Sequence, residues 1–119
     1  MTTTPPIEPL ATYEDLLTLD VRVGTVVAAA PFPQARKPAL KLTIDFGPAI
    51  GRKRSSAQIT ERHGPDDLLG RQVAAVVNLG PRQIGPFISE VLTLGFPDAD
   101  GKVVLIGPVH PVPDGGRLF

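Results

Sequence analysis

Apolar and polar side chains alternate most clearly in the stretch LKLTIDF, residues 40–46, where every second side chain is apolar. A period of two is the period of a β-strand with one buried face. The next five residues, GPAIG, fit a tight connection, and RKRSSAQI at 52–59 fits a returning strand. Residues 40–59 are therefore predicted to form a β-hairpin, in which Lys41 and the cations at 52–54 share one edge of the sheet.

The remaining chain is predicted to form short strands and two short helices, separated by loops rich in glycine and proline. Thr12 and Asp15 have the spacing of a capping box, which predicts a helix within 13–20. A second helix is predicted within 63–70, where a proline and two aspartates precede a glycine. Apolar runs predict further strands at 20–30, 71–79, 87–96 and 102–108, with loops at 31–38 and 80–86.

This order of elements favours a small, closed β-sheet. A short helix between the third and fourth strands of a five-stranded antiparallel barrel is the layout of an OB-fold, and another small barrel or sandwich is the open alternative. We expect one all-β domain, a five-stranded OB-fold barrel with short helices and terminal extensions, at 13–119 after a flexible arm at 1–12. Gly24 is expected at a bulge or at a close approach of another segment.

Basic residues concentrate in one part of a chain that is neutral overall. The sequence contains 12 basic and 12 acidic residues, yet 36–54 holds six bases and a single acid, Asp45. The local field of such a cluster governs what the surface attracts. Two interpretations are open. The cations protect an exposed strand edge from aggregation, or they bind the phosphates of a nucleic acid.

In the second interpretation, cations contact phosphates and neighbouring polar side chains add hydrogen bonds. The candidates are Lys41, Arg52, Lys53 and Arg54, with Ser55, Ser56 and Gln58. Aromatic residues make up only 5% of the chain, which is few for stacking bases. Phe32 and Phe87 are expected in core or loop packing. The predicted site is therefore a reader of shape and charge rather than one that stacks bases.

The sequence contains no motif of catalytic or metal chemistry. His63 and His110 have no other ligand type at metal-ligand spacing. GPAIGRK has three residues between its glycines where a phosphate loop needs four, and DADG at 98–101 lacks the closing glutamate of a calcium loop. Cysteine is absent, so disulfides and thiolate sites are excluded. We expect no enzymatic activity, no cofactor and no metal.

The N-terminal stretch MTTTPPIEPLATYEDL lacks the basic segment and the apolar core of a signal peptide. No apolar run reaches the length needed to span a membrane. A cytoplasmic protein without membrane insertion is expected.

Four long blocks of the sequence resemble the CsaA family: LDVRVGTVVAAAPFPQARKPALKLTIDFG, IGRKRSSAQIT, GRQVAAVVNLGPRQIGPFISEVLTLG and VVLIGPVHPVPDG. Members of this family are stand-alone relatives of the tRNA-binding domain at the C-terminus of many methionyl-tRNA synthetases. The resemblance runs from about Tyr13 to the C-terminus. It implies an OB-fold, a homodimer formed through the extensions, tRNA binding, a chaperone role in protein export, and no enzymatic activity.

The resemblance also carries the family's binding face onto matching positions of this chain. These are Lys53, Ser55, Ser56 and Gln58, then Asn78, Arg82 and Gln83, and finally Ser89 and Glu90. The chain departs from many members at Leu79–Gly80, where they have Phe-Pro, and at Asp114–Gly115, where they have Asn-Gly. The first departure changes the loop beside Arg82, and the second is conservative for a turn.

Two functions of different class follow from these residues and from the resemblance. The first is tRNA binding, with tRNA as the partner. The alternative is a chaperone that holds unfolded or exported polypeptides and has only incidental affinity for nucleic acid. A third reading is a structural homodimer whose cations only protect a strand edge.

Overall fold

The computed structural model describes residues 4–33, 39–58 and 64–119, which form short strands and two short helices. Three residues of the sequence prediction, Arg36, Lys37 and His63, lie outside these ranges. The helices and strands are, in chain order, α1 Tyr13–Leu17, β1 Val21–Pro31, β2 Leu40–Asp45, β3 Arg52–Ala57, α2 Pro65–Leu68, β4 Gln72–Val76, β5 Arg82–Ile84, β6 Phe87–Ser89, β7 Leu92–Thr93, β8 Gly95–Pro97 and β9 Val103–Leu105.

The main sheet has five strands in the order β3-β2-β1-β4-β7, and all its neighbours are antiparallel. The two end strands approach each other, because the hydroxyl of Thr93 on β7 donates to the hydroxyl oxygen of Ser55 on β3 at 2.8 Å. The sheet is therefore a nearly closed barrel. Helix α2 lies between β3 and β4 in the chain and buries Leu68 in the core. The predicted all-β, OB-fold barrel is confirmed.

The core of the barrel is aliphatic, and β2 shows how the sequence produces it. Leu40, Leu42 and Ile44 are buried, whereas the residues between them are only partly buried. Gly24 on β1 lies where a Cβ would stand 2.6 Å from the Ile44 side chain and 2.9 Å from the backbone oxygen of Asp45. The expected close approach at Gly24 is confirmed. The irregularity in strand pairing lies further along, between Val26 and Ala28.

The structure differs from the prediction in residues 80–97. The predicted loop at 80–86 contains β5, which pairs with β6 through a turn at Gly85 with φ of 57°. The predicted strand at 87–96 is divided into β6, β7 and β8. The first of the two breaks, between β6 and β7, includes Glu90, whose backbone N–H donates to the carbonyl of Arg54 on β3 at 2.8 Å. A long-range bond to another strand redirects the chain here, and local alternation does not reveal such a bond.

The terminal segments are fixed to one side of the barrel. The capping box predicted at α1 is present, with Thr12 and Asp15 bonding each other's backbone N–H groups. The C-terminal segment runs along β1, where the N–H groups of Gly115 and Leu118 donate to the carbonyls of Val23 and Val21. Among the described residues, neither helix is long and apolar enough to cross a membrane.

Asp20 joins these terminal segments electrostatically. Its carboxylate lies 2.6 Å from Nε of Arg22 and 3.5 Å from Nε of Arg117. The hydrogen bond from Arg22 lowers the pKa of Asp20 below its ordinary value of 3.8, although partial burial opposes this shift. The carboxylate therefore stays ionised near neutral pH and holds both guanidinium groups.

Candidate nucleic-acid interface

The outer surface of β1, β2 and β3 is organised in three rows of paired residues. Residues that pair across an antiparallel ladder point to the same face of the sheet. The rows on the outer face are Ala30–Lys41–Ser56, Ala28–Thr43–Arg54 and Thr25–Asp45–Arg52. We call this outer surface the basic face, because Lys41, Arg52 and Arg54 are its charged side chains apart from Asp45.

The three consecutive cations do not share one face. Lys53 pairs with Ile44, which is fully buried, so the side chain of Lys53 starts from the inner face at the end of the barrel. Arg52 and Arg54 start from the outer face and are exposed. The cations at 52–54 do lie on the end strand β3, as predicted, but Lys53 points to the opposite face of the sheet from Lys41, Arg52 and Arg54. The reason is the two-residue period of the strand itself.

Two aromatic rings lie beneath the basic face. Phe32 and Phe87 are 3% and 6% exposed, and their ring centroids are 5.3 Å apart. The predicted packing role of both rings is confirmed. Each ring also lies under a cation, since Nζ of Lys41 is 5.7 Å from the centroid of Phe32 and Cζ of Arg54 is 4.7 Å from that of Phe87. Both distances are within the range of cation–π attraction, which restricts where the two side chains point.

The two cations border a shallow depression of about 240 Å³. Apart from Lys41, the lining side chains that β1 and β2 contribute are short. The lining residues are Ala28, Ala29, Ala30, Lys41, Thr43, Arg54 and Phe87. The depression is therefore open and cationic, and it lies on the face that carries four of the predicted candidates, Lys41, Arg52, Arg54 and Ser56.

Lys41 and Arg54 differ from Arg52 in their charge partners. Nε of Arg52 lies 3.8 Å from the carboxylate of Asp45, a long and exposed pair. Within residues 39–58 and the other described ranges, Lys41 and Arg54 form no salt bridge. Their positive charge is therefore balanced by no carboxylate in direct contact, and it is available to an anion.

The outer edge of β3 is covered, although β3 is the last strand of the sheet. The backbone N–H of Arg54 donates to Oε1 of Glu90 at 3.0 Å, and the carbonyl of Arg54 accepts from the N–H of Glu90. The N–H of Ser56 donates to the hydroxyl of Ser89 at 3.1 Å. Edge protection by charge is needed where backbone groups are unpaired. These bonds weaken the edge-protection interpretation for the cations of β3.

Two of the predicted ligand serines are structural. Ser55 is fully buried and accepts the hydrogen bond from Thr93 that helps to close the barrel. Ser89 is 8% exposed, and its hydroxyl donates to the carbonyl of Val91 while it accepts from Ser56. The other candidates near β3 are accessible, because Ser56 is half-buried on the basic face and Gln58 is exposed just beyond the strand.

Asn78 lies at the terminal side of the barrel and not with the basic residues. Its side-chain nitrogen donates to the carbonyl of Thr18, and its side-chain oxygen accepts from the N–H of Asp20 at 2.8 Å. Through these two bonds, the side-chain amide of Asn78 holds the end of α1 against the end of β4. Arg82 and Gln83 lie on β5, and both are exposed. Gln83 donates to the carbonyl of Gly85 within the β5–β6 turn.

Some residues of the basic face were missed in the sequence. Thr43 was assigned only to the polar side of its strand, and Ala28 and Ala30 were not considered. Counting alternate positions from Lys41 would have found Thr43, whereas the alanines depend on the β1–β2 register after an irregularity. Within the described residues, no group of three or more His, Cys, Asp or Glu side chains could hold a metal ion.

We predict that Ser55→Ala lowers the free energy of unfolding by about 1–2 kcal/mol, because the Thr93 hydroxyl loses its acceptor in the core. Nucleic-acid affinity should stay unchanged at temperatures where the variant is folded. Chemical denaturation measures the first quantity and fluorescence anisotropy with labelled RNA the second. Ser56→Ala is the matched control, and its stability should change by less than about 0.5 kcal/mol. Loss of affinity by a fully stable Ser55→Ala variant would show that Ser55 is a ligand.

Three comparisons with known proteins agree with this geometry. The family model described as "Putative tRNA binding domain" matches residues 21–117. A methionine–tRNA ligase of Porphyromonas gingivalis is 36% identical over 113 residues, which are 95% of this chain and 16% of the ligase. The chain thus spans only a small part of the curated relatives it matches.

Solved structures match over nearly the whole chain. Chaperone CsaA from Bacillus anthracis is 50% identical with a TM-score of 0.87, and the match covers 93% of this chain and 100% of that one. The CsaA chaperone protein from Picrophilus torridus is 45% identical with a TM-score of 0.86, covering 92% and 100%. The methionyl-tRNA synthetase-related protein from Pyrococcus horikoshii is 28% identical with a TM-score of 0.82, covering 94% and 100%. The chain therefore belongs to the tRNA-binding-domain family and, within it, to the CsaA family, as its sequence motifs predict.

Proposed function

We propose that this protein binds tRNA through the basic face, without catalytic activity of its own. The observation that carries the proposal is the pair of cations Lys41 and Arg54, whose charged groups form no salt bridge among the described residues and are held over Phe32 and Phe87. Membership of the tRNA-binding-domain family supports the same ligand. The domain at 13–119 would carry this activity, and a tRNA ligand is consistent with the cytoplasm as its location.

The spacing of the two cations suits a polyanion. Lys41 pairs with Ser56, and Arg54 lies two residues before Ser56 on β3, so the cations are diagonal neighbours in the sheet. Diagonal neighbours are about 7–8 Å apart at the backbone. Because both side chains start from neighbouring positions of one face, their like charges repel each other, and an anion bound between them offsets that repulsion. Successive phosphates of one strand offer such anions.

The other candidates fall into two roles around this pair. Arg52, Ser56, Gln58, Arg82 and Gln83 are accessible and would extend the contact with the RNA backbone. By contrast, Ser55, Ser89, Glu90 and Asn78 use their polar groups within the protein, and Lys53 starts from the inner face. We assign these five residues to the scaffold rather than to RNA contact.

The test of tRNA binding is the salt dependence of affinity in wild type and in a Lys41→Ala/Arg54→Ala double variant. Each displaced phosphate counterion contributes about 0.7–0.9 to the slope of log K against log salt concentration. We expect steep salt dependence for wild type and a slope smaller by about 1.4–1.8 for the double variant. Fluorescence anisotropy of labelled bulk tRNA measures both.

Lys53→Ala is the control, because it removes one positive charge from β3, the strand that carries Arg54, but from the opposite face. It should change the slope by clearly less than half of the double variant's change. Undetectable or salt-insensitive binding by wild type would contradict tRNA binding. If Lys53→Ala changed the slope by half of the double variant's change or more, the assignment of RNA binding to the basic face would be contradicted.

A second candidate function is the holding of unfolded or exported polypeptide. The two CsaA proteins of known structure are named chaperones, which supports it. On the β5–β6 hairpin, Ile88 is 42% exposed and pairs with the exposed Gln83, so an apolar and a polar side chain lie together on the outer face of the hairpin. Such a mixed surface suits an extended peptide.

If this second function is correct, a stoichiometric amount of the protein should suppress the aggregation of a chemically denatured client, measured by light scattering. Ile88→Ser should reduce the suppression, because it removes exposed apolar area without disturbing a buried group. Ser56→Ala serves as the unaffected control. Full aggregation in the presence of wild type would exclude the chaperone role for that client.

We also propose that the chain forms a homodimer through its terminal side. Exposed leucines cluster there: Leu17, Leu19, Leu79 and Leu118 are all more than 40% exposed. Arg117 bonds the carbonyl of Leu17, and Asn78 bonds that of Thr18, so these segments form one surface. Exposed apolar clusters of this kind mark association sites.

A mass of twice the chain is expected by multi-angle light scattering at micromolar concentration, because a paired surface would shield these leucines from water. Leu118→Asp should shift the mass toward that of one chain, whereas Ile88→Ser should not. A monomeric wild-type mass would contradict the dimer.

A further inference from the structure

The guanidinium of Arg54 is set over an aromatic ring instead of extending freely into solvent. Its Cζ lies 4.7 Å from the centroid of Phe87, and the side chain is exposed. A long arginine side chain ordinarily loses considerable rotamer freedom when it binds a ligand. The ring beneath Arg54 restricts this freedom before any ligand arrives. Arg54 is therefore a preorganised planar cation on the surface.

The backbone that carries Arg54 is fixed as well. Both its N–H and its carbonyl are bonded to Glu90, three residues after Phe87 in the chain. The same segment thus supplies the ring under the side chain and the bonds that hold the backbone. Because one segment positions both the side chain and the backbone of Arg54, the fold determines where the guanidinium lies.

The aromatic rings themselves are not available to a ligand. Phe32 and Phe87 are almost completely buried and pack against each other and against Ala39. A nucleobase can stack on an arginine guanidinium as well as on an aromatic ring. Among the described residues that line the depression, the accessible planar group is the guanidinium of Arg54. The scarcity of aromatic residues therefore does not remove base stacking from the basic face.

The surroundings of Arg54 leave room for a flat ligand. Arg54 pairs with Thr43 on β2, and Thr43 pairs in turn with Ala28 on β1. Ala30 lies in the next row. These short side chains line the depression beside the guanidinium. Lys41 borders the same depression and remains free to meet a phosphate. A base on Arg54 and its phosphate near Lys41 would occupy the site together.

We propose that Arg54 is a stacking platform for one unpaired nucleobase, so that the basic face takes a single-stranded loop or end of RNA rather than a duplex. This inference rests on the proposed function and narrows its ligand. Bases in a duplex are stacked on each other and cannot present a free face to a guanidinium. Stacking needs the planar guanidinium, as a bidentate phosphate contact also does, but stacking alone needs a base, and an abasic strand has none.

The experiment compares wild type with Arg54→Lys, which keeps the charge and removes the plane. The probes are bulk tRNA, an unstructured RNA of about eight nucleotides, and an abasic strand of the same length and charge. Anisotropy across a salt series gives affinity and slope for each probe. Lys53→Ala is the control for a charge change on the same strand, and thermal melting confirms that each variant is folded.

We expect wild type to bind the base-bearing strand at least about fivefold more tightly than the abasic strand, which is the lower end of base-stacking effects. Arg54→Lys should lose this preference and lose affinity for tRNA by a similar factor, with an unchanged salt slope. Phe87→Leu, which removes the ring under Arg54, should reduce the preference if the variant melts cooperatively.

Three results would overturn the inference. Equal wild-type affinity for the two strands would show that bases do not contribute. An Arg54→Lys variant that keeps the preference would show that the plane is not required, while tRNA binding itself would stand. If wild type bound none of the three probes, both the stacking proposal and the proposed function would be wrong.

Discussion

The bonds between residues 89–90 and the outer edge of β3 are the constraint on which the rest of the structure depends. They pair the backbone of Arg54 and the N–H of Ser56, and so they satisfy an edge that the five-stranded sheet leaves open. They also interrupt the strand that local alternation predicts and turn β5 and β6 into a separate hairpin. That hairpin brings Phe87 under Arg54. One set of hydrogen bonds thus completes the barrel and builds the basic face.

A neutral protein obtains a basic surface here through the two-residue period of a strand. On β2, Lys41 and Thr43 face outward while Leu40 and Leu42 face the core. Lys41 and Arg54, whose charged groups form no salt bridge in the described ranges, lie on the face with the alanines, and Asp20 pairs with the arginines of the terminal side instead. The field that would attract RNA therefore comes from where cations and carboxylates lie on the surface, and not from an excess of positive charge in the chain.

The sequence was informative where structure is local and less so where it is long-range. Alternation, the capping box and the helix signals placed most elements, and the family motifs predicted the OB-fold. The sequence also indicated which face each cation occupies. Lys53 lies two residues before Ser55 on the strand and so shares its face, whereas Arg54, between them, points to the opposite face. The burial of Ser55 and the use of Asn78 depend on partners 38 and 60 residues away. No local signal reveals such partners, so the sequence offered Ser55 and Asn78 only as candidates for the binding site.

The most direct test of the account is an NMR titration of the ¹⁵N-labelled protein with tRNA, followed through the backbone amide signals. If the basic face is the RNA site, the largest changes will occur at Ala28, Ala30, Thr43 and Arg54, and the C-terminal segment at 112–118 will change little. If the changes instead concentrate in the C-terminal segment while those four amides stay constant, the assignment of tRNA binding to this face is wrong.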